Sequence, residues 1–185
     1  MRAEAVLLTT DVRLPESDER VCDEAGAIFE ELRTPLLRYL VSLGLRLDEA
    51  QDLVQEVFLR LHQHLLSDGA RDNLRSWIFR VAHNEAVNLH KSGFKRAFRR
   101  AVNWCYALED RIYPGADPEQ IALESERLSR LTAAVRRLPE VQRNCLNLRT
   151  AGLRFREIAI VLGLSTTTVA DNLNKAIARL RKELA

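Results

Sequence analysis

The sequence contains few of the residues that interrupt a helix or cross-link a chain. Among 185 residues only 7 are glycine and 5 are proline. Cysteine occurs three times, at Cys22, Cys105 and Cys145, an odd number at wide spacing with no CxxC pair and no paired histidines. We therefore expect free thiols, with neither a disulfide framework nor a bound metal.

Long apolar runs are also missing, so no membrane-spanning helix is expected. The opening MRAEAVLL is too short and too acidic for a secretory signal, which predicts a cytoplasmic protein. No nucleophile and base pair, glycine-rich phosphate loop or metal spacing is visible, and the four histidines do not share a helical face as a set. These absences argue against an enzyme and against a cofactor.

The residues that are abundant favour helices. Apolar residues make up 46%, and the usage leans on Leu, Ala, Arg and Glu, which lose little on entering a helix. The length suits two small domains, so we predict an all-α protein of two small helical domains.

Charge is segregated along the chain although the formal net charge is only +2. Residues 1–31 carry −6, residues 71–100 carry +6, residues 101–130 carry −3 and residues 131–185 carry +6. Basic blocks attract polyanions through counterion release, and acidic stretches repel them. A charge run is usually only a solvated face, but each basic block here coincides with a helical motif.

Residues 48–66 show helical periodicity. Asp48 and Gln51 resemble a capping box at the start of the helix. One face is apolar and consists of Ala50, Leu53, Val54, Val57, Phe58, Leu61 and Leu65. The opposite face is acidic and amide-rich around one leucine, with Asp52, Gln55, Glu56, Leu59 and Gln63. This face is either a protein-docking surface or an ordinary solvent-exposed surface.

After the turn formers of residues 67–73, a second periodic segment runs through LRSWIFRVAHNEAVNLHK and into a basic stretch. Its outer face carries Ser76, Arg80, His83, Asn84, Val87 and Lys91, interleaved with the aromatics Trp77, Phe79 and Phe94. That mixture suits phosphates and unpaired bases, but it also suits a core aromatic cluster with a basic fringe. Glu85 falls within the apolar face, and the sequence names no partner for it.

Residues 101–127 predict an acidic linker that contains a PGADP turn cluster, and a helix is expected to resume near Asp117, with Pro118 at its first position. The C-terminal segment predicts a helix-turn-helix: Gly163 supplies the turn, Ser165 caps the second helix, and Val169, Leu173, Ala176, Ile177 and Leu180 point inward. Its outward face holds Thr166, Thr167, Ala170, Asp171, Asn174 and Lys175, and such a face reads a major groove.

Together, DEAQDLVQEVFLRLHQ, NLRSWIFRVAHNEAVNLHK and the Glu157–Leu173 pattern resemble the extracytoplasmic-function (ECF) sigma factors of the sigma-70 family, over roughly residues 26–184. The resemblance implies a factor that binds core RNA polymerase, at the largest subunit's clamp helices and at the flap, and directs promoter-specific initiation. It also admits an anti-sigma factor as a partner. The implied domains are an acidic, flexible N-terminal extension (1–25), sigma region 2 (26–100), the acidic flexible linker (101–127) and sigma region 4 (128–185).

The resemblance assigns site residues to three surfaces. Polymerase binding falls to Asp52, Gln55, Glu56 and Leu59. Capture of the −10 element falls to Asp72, Asn73, Ser76, Trp77, Arg80, Asn84 and Lys91. The −35 element falls to Ser165, Thr166, Thr167, Ala170, Asp171, Asn174 and Lys175.

The recognition helix departs from the family, since Ala170 and Asn172, with Asp171 between them, stand where relatives usually place basic residues. Two alternatives stay open. One is a helix-turn-helix regulator of the response-regulator or quorum type, because its output domain uses nearly the same Glu157–Leu173 pattern, although residues 1–130 show no strand alternation for a receiver domain. The other is a sigma-like protein that binds polymerase without recognising promoters on its own.

Overall fold

A computed structural model describes residues 16–67, 69–91 and 118–184, and these residues form seven helices and no strand. The helices are α1 (Glu16–Ser42), α2 (Leu47–Leu66), α3 (Leu74–Lys91), α4 (Pro118–Arg137), α5 (Glu140–Thr150), α6 (Phe155–Leu162) and α7 (Thr166–Leu184). The predicted all-α class is confirmed.

The N-terminal half is a bundle of α1, α2 and α3. All seven residues of the predicted apolar face of α2 are buried, which confirms that face. They pack on Leu36, Tyr39 and Leu40 of α1, each at most 1% exposed, and Phe29 meets Phe58 edge to face at 4.8 Å between ring centroids. This burial fixes which side of α2 remains available to a partner.

Two predictions about helix starts in this half are wrong. The capping box of α2 does not use Asp48 and Gln51; instead, the backbone N–H of Arg46 donates to Glu49 Oε2 at 2.9 Å, and Asp48 pairs with the Arg46 guanidinium at 2.8 Å. The flexible extension does not reach residue 25, because α1 begins at Glu16 and Val21 is already buried against the bundle. Residues 1–15 lie outside the described part of the chain.

The C-terminal half contains the predicted helix-turn-helix. Gly163 ends α6 at φ +65°, a left-handed conformation that suits glycine, and Ser165 Oγ accepts the Thr168 backbone N–H at 3.1 Å as the cap of α7. Val169, Leu173 and Ala176 are buried as predicted. Ile177 is not, since 41% of it is exposed, and Leu180 is half-buried.

Pro118 begins α4, as the sequence predicts. Residues 118–127, assigned above to the linker, therefore belong to a helix, while the rest of the predicted linker lies outside the described residues.

The two halves share one hydrophobic core. Tyr39 and Phe79 from the first half lie in the same cluster of buried side chains as Cys145, Leu148 and Ile158 from the second. Helix α3 packs directly on α6, and the Arg75 guanidinium of α3 donates from Nη2 to the carbonyl of Ala151 at 3.1 Å. We call this arrangement the closed form.

No helix among the described residues is both long and apolar enough to cross a bilayer.

Candidate nucleic-acid interface

The outer face of α2 is presented to solvent as the sequence predicts. Asp52, Gln55 and Glu56 are exposed, and Leu59 is exposed at 66%, the largest value among the large apolar residues described. An apolar side chain this accessible, surrounded by carboxylates and amides, has the composition of a small protein-docking surface.

Glu85 has a partner that sequence reasoning did not find. Arg60 of α2 donates from Nη1 to Glu85 Oε1 at 2.7 Å and from Nη2 to Glu56 Oε1 at 2.5 Å. These hydrogen bonds, that to Glu85 first, raise the pKa of Arg60. The bridge ties α3 to the outer face of α2 and orients Glu56. An acidic residue at an apolar position was the available signal, but the partner is 25 residues away.

The loop before α3 is organised by His64. Its imidazole stacks on Trp77 with ring centroids 5.0 Å apart, and its Nε2 is 3.1 Å from the carbonyl oxygen of Ala70. A Cβ on Gly69 would lie 2.3 Å from His64 Cε1, so any other residue at position 69 would displace the imidazole. Asn73 adopts φ +61° immediately before α3. Trp77 is thus held half-buried at the mouth of the loop, with one stacking partner already in place.

Three of the side chains predicted for the outer face of α3 need correction: Ser76, Phe79 and, as described below, His83, which turns inward to Tyr39. Ser76 is 1% exposed and its Oγ is buried without a partner among the described protein atoms, so it cannot touch DNA in the closed form. Phe79 is fully buried, with its ring 5.7 Å from that of Tyr39, and is therefore part of the core. The aromatic side chains of α3 therefore divide between the core, with Phe79, and the surface, with Trp77. Helical periodicity alone did not decide between these two locations.

The remaining α3 candidates lie on the surface. Asp72 and Asn73 in the loop and Arg80 and Asn84 along the helix are exposed. Lys91 is the last residue of α3, and its side chain lies outside the described set, as does the basic stretch 92–100 with Phe94. The structure thus brings together a tryptophan, an arginine and amides on one side of α3, next to a loop with polar side chains.

The outward face of α7 also matches the prediction. Its exposed members are Thr166, Thr167, Asp171, Asn174 and Lys175, while Ala170 is half-buried. Ser165 is exposed, but its Oγ lies 2.8 Å from Thr167 Oγ1 and 2.7 Å from Thr168 Oγ1 besides accepting the cap bond. Asn172 folds back onto Thr168 O at 2.8 Å. The side chains of Ser165 and Asn172 are therefore engaged in hydrogen bonds at the start of α7. Among the outward residues from Thr166 to Lys175, a single lysine carries positive charge.

Inside the closed form, the side chains of Tyr39 and His83 form a polar pair between α1 and α3. Tyr39 Oη lies 2.8 Å from His83 Nδ1. Burial raises the pKa of the Tyr39 hydroxyl, which keeps it protonated and able to donate to a neutral imidazole. Burial also lowers the pKa of His83, against a smaller opposing effect of the Glu140 carboxylate at the start of α5. The closed form is thus built around a neutral histidine.

The pKa of His83 predicts an acid-sensitive fold. A histidine whose folded-state pKa is below its unfolded value of 6.5 stabilises the fold fully above that pH, and this contribution is lost as the pH falls below it. We expect the free energy of unfolding, measured by urea titration from pH 7.5 to 5, to decrease below about pH 6.5. His83→Gln should flatten this decrease.

Tyr39→Phe is the control for the His83 prediction, because burial is the main cause of the shift. It removes one hydrogen bond, at a cost of about 1 kcal/mol, and should keep the pH dependence. A pH profile of His83→Gln that superimposes on that of the unchanged protein contradicts the assignment.

Comparisons with known proteins cover both halves. Residues 28–96 match the family described as Sigma-70 region 2, and residues 128–180 match Sigma-70, region 4. The chain is 25% identical over 163 residues to the RNA polymerase sigma factor YlaC of Bacillus subtilis, covering 88% of this chain and 92% of that one. It is 30% identical over 164 residues to the ECF RNA polymerase sigma factor SigL of Mycobacterium tuberculosis, covering 85% and 87%.

Among solved structures, the fold is similar to that of the sigma factor RpoE in its complex with the anti-sigma factor NepR from Bartonella quintana. The TM-score is 0.58 at 23% identity, and the match covers 88% of this chain and 96% of that one.

Proposed function

Because the chain belongs to the ECF group of the sigma-70 family of RNA polymerase sigma factors, we propose that the faces of α2, α3 and α7 divide its work among polymerase, the −10 element and the −35 element. Sigma factors bind core RNA polymerase and direct promoter-specific transcription, and this chain is one of them. The observation that carries the division is that three outward faces of different composition lie on three different helices. The regulator alternative is excluded, because sigma region 2 occupies the place of its sensor domain.

The polymerase contact is the face of Asp52, Gln55, Glu56 and Leu59. Leu59 supplies the apolar centre, and the carboxylates and amides supply the polar rim that interfaces commonly show. The Arg60 bridge holds Glu56 in a defined rotamer before polymerase arrives, which lowers the entropic cost of docking.

The −10 contact is the loop before α3 together with the exposed side of that helix. Trp77 offers a flat apolar surface for an unpaired base, Arg80 offers a phosphate contact, and Asn73 and Asn84 offer amide donors and acceptors. Asp72 and Lys91 complete the proposed set. Ser76 is left out because it is buried.

The −35 contact is the outward face of α7 set in a major groove. Asn174 can pair with adenine, and Asp171 can accept from the amino group of cytosine. Thr166, Thr167 and Lys175 contact the DNA backbone from the same face, with Ala170 between them.

Run-off transcription tests this function directly. Core polymerase plus this protein, incubated with a random promoter library and sequenced, should yield transcripts whose templates share two elements at fixed spacing. Transcripts that share only the −10 element would instead favour a factor without −35 recognition.

Adding positive charge to the recognition helix α7 should raise its affinity for DNA. We expect Ala170→Arg with Asp171→Ser to raise the affinity for duplex −35 DNA and to steepen the slope of log K against log salt by about 0.9, the value for one phosphate contact. Fluorescence anisotropy across a salt series measures both quantities. As the control, Ile177→Arg with Ala178→Arg adds the same two units of positive charge at exposed positions further along α7. If both variants change binding equally, nonspecific attraction explains the gain.

Two further parts of the proposal concern partners and chemistry. RpoE is solved with the anti-sigma factor NepR, and its similarity to this chain supports an anti-sigma factor as a partner here. The function proposed is binding and DNA opening without a catalytic step, consistent with membership of a family of initiation factors.

A further inference from the structure

Two arginines hold the segment that leads into α3 against α1. In the loop, Arg71 pairs through Nη1 with Glu24 Oε2, and in the first turn of α3, Arg75 Nη1 lies 3.7 Å from Glu31 Oε1. Glu24 and Glu31 are seven residues apart, so they lie on nearly the same side of α1. Two of the proposed −10 residues lie between the arginines in the chain. Helix α1 therefore holds both ends of a segment assigned to −10 capture.

The same loop is also held from α2. The backbone N–H of Gly69 donates to the His64 carbonyl at 2.9 Å, and His64 Nε2 is 3.1 Å from the carbonyl oxygen of Ala70, the residue directly before Arg71. Asn73 then leads into α3 at φ +61°. Contacts from two different helices thus define the path of the loop before any base arrives.

Asp72 is the residue whose side chain this arrangement leaves available. It is exposed, and no hydrogen bond or ion pair joins it to the other described residues. An ionised carboxylate accepts hydrogen bonds and cannot donate them, so it favours adenine, cytosine and guanine, which carry an exocyclic amino group, over thymine. Selection of this kind is stronger when the carboxylate is already in position, because ordering a loop upon binding costs free energy. The neighbour of Asp72 that another helix holds is Arg71.

We propose that Glu24 of α1 is a positioning residue for base selection at the −10 element. Through Arg71 it holds the neighbouring Asp72 carboxylate in place, and the unpaired base that this carboxylate binds carries an exocyclic amino group. The inference rests on the proposed role of the loop and α3 in capturing the −10 element. It adds α1 to the helices that determine which promoter is opened, although Glu24 itself touches no DNA.

The exposure of the pair limits the size of its effect. The side chains of Arg71 and Glu24 are 53% and 31% exposed, and an exposed ion pair changes an equilibrium by at most about fivefold. Loss of the pair should therefore weaken base selection without unfolding the protein. A role for Arg71 as a phosphate contact predicts the opposite sign, because Glu24→Gln would then free the guanidinium and raise the affinity for every sequence.

The experiment first locates the base that Asp72 reads. Run-off transcription on the random library identifies the −10 position at which Asp72→Ala changes the base preference. Holoenzyme assembled from core polymerase and the full chain is then bound to four pre-melted bubbles that differ only at that position of the non-template strand. The measured quantity is the ratio of the affinity for the best amino-bearing base to the affinity for thymine. A uniform loss of affinity cancels in this ratio.

We expect Asp72→Ala to lower the ratio by about tenfold, the effect of one hydrogen bond to a charged acceptor. Glu24→Gln should lower it by about two- to fivefold and leave the preferences at other positions unchanged. Arg71→Lys keeps the charge and should retain the ratio. Glu24→Arg with Arg71→Glu should recover most of it, because the pair re-forms with reversed polarity, whereas Arg71→Glu alone should not.

Glu183→Gln is the matched control. Glu183 of α7 pairs with Arg137 of α4 at 3.4 Å, and this exposed pair spans 46 residues of the chain, against 47 for the pair of Glu24 with Arg71. Its loss should leave the ratio unchanged. Thermal melts by circular dichroism show whether the two glutamine variants fold equally well.

Three results overturn the inference: a library preference that Asp72→Ala does not change, a ratio for Glu24→Gln equal to that for Glu183→Gln, or a uniformly higher affinity of Glu24→Gln with a steeper salt dependence. The last would identify Arg71 as a phosphate contact. Failure of the proposed function is distinguishable. If Trp77→Ala also leaves binding to the bubbles unchanged, α3 is not the −10 surface at all. If it weakens binding and Glu24→Gln keeps the full ratio, only the positioning role is wrong.

Discussion

Replacing Trp77 by alanine should remove most run-off product while leaving assembly with core polymerase intact. A base stacked on an aromatic ring is stabilised by about 1 to 3 kcal/mol, so loss of the ring should reduce promoter opening by roughly 5- to 150-fold. Trp77→Phe keeps an aromatic surface and should retain much of the activity. Measurement of transcript yield at saturating polymerase separates this effect from docking.

The experiment needs a second template because Trp77 also stacks on His64, which contacts the loop carbonyl of Ala70. On a pre-melted bubble, opening is bypassed and only base capture matters. His64→Phe keeps a ring against Trp77 and removes the imidazole nitrogen near Ala70, so it should be milder than Trp77→Ala on both templates. Full activity of Trp77→Ala on ordinary duplex would disprove the assignment of α3 to promoter melting.

Reversing the charge of the α2 face should have an effect of similar size on a different step. Asp52→Lys with Glu56→Lys is expected to abolish co-purification with core polymerase, because like charges or unpaired polar groups at an interface cost several kcal/mol. Helicity by circular dichroism should be unchanged, since both side chains are exposed.

Glu56 already pairs with Arg60, so the double variant needs two controls. Asp52→Lys alone leaves the Arg60 bridge intact and should still weaken binding strongly. Asp23→Lys with Glu30→Lys makes the same change in net charge at exposed positions of α1 and should bind polymerase normally. Equal loss in both double variants would mean that overall charge, and not the α2 face, governs docking.

Helical periodicity correctly predicted the buried faces of those helices in which the local pattern of apolar residues decides which side is buried. The apolar face of α2 and the Val169, Leu173 and Ala176 stripe of α7 were identified correctly because a 3.6-residue repeat states which side of a helix faces its neighbour. The same reasoning found the Gly163 turn and the Ser165 cap, which depend on short-range backbone chemistry.

The errors on α3 share a physical cause, which is contact between residues far apart in the chain. A helical repeat did not predict that Ser76 and Phe79 are both buried on α3. The Arg75 to Ala151 hydrogen bond spans 76 residues, and no local pattern encodes it. Glu85 was the exception. Its carboxylate falls at an apolar position of the helix, and this indicates from the sequence that it needs a partner, although the sequence does not identify that partner.

The burial of Cys145 makes the reactivity of its thiol a reporter of how often the two halves separate. The thiol is fully buried in the core that the two halves share, and burial raises its pKa, so both effects slow its reaction with a thiol reagent while the halves stay together. In a chain with serine at positions 22 and 105, the rate of labelling at Cys145 becomes a count of how often the molecule opens. An anti-sigma factor that holds the halves together would lower the labelling rate at Cys145, and binding to a promoter would raise it.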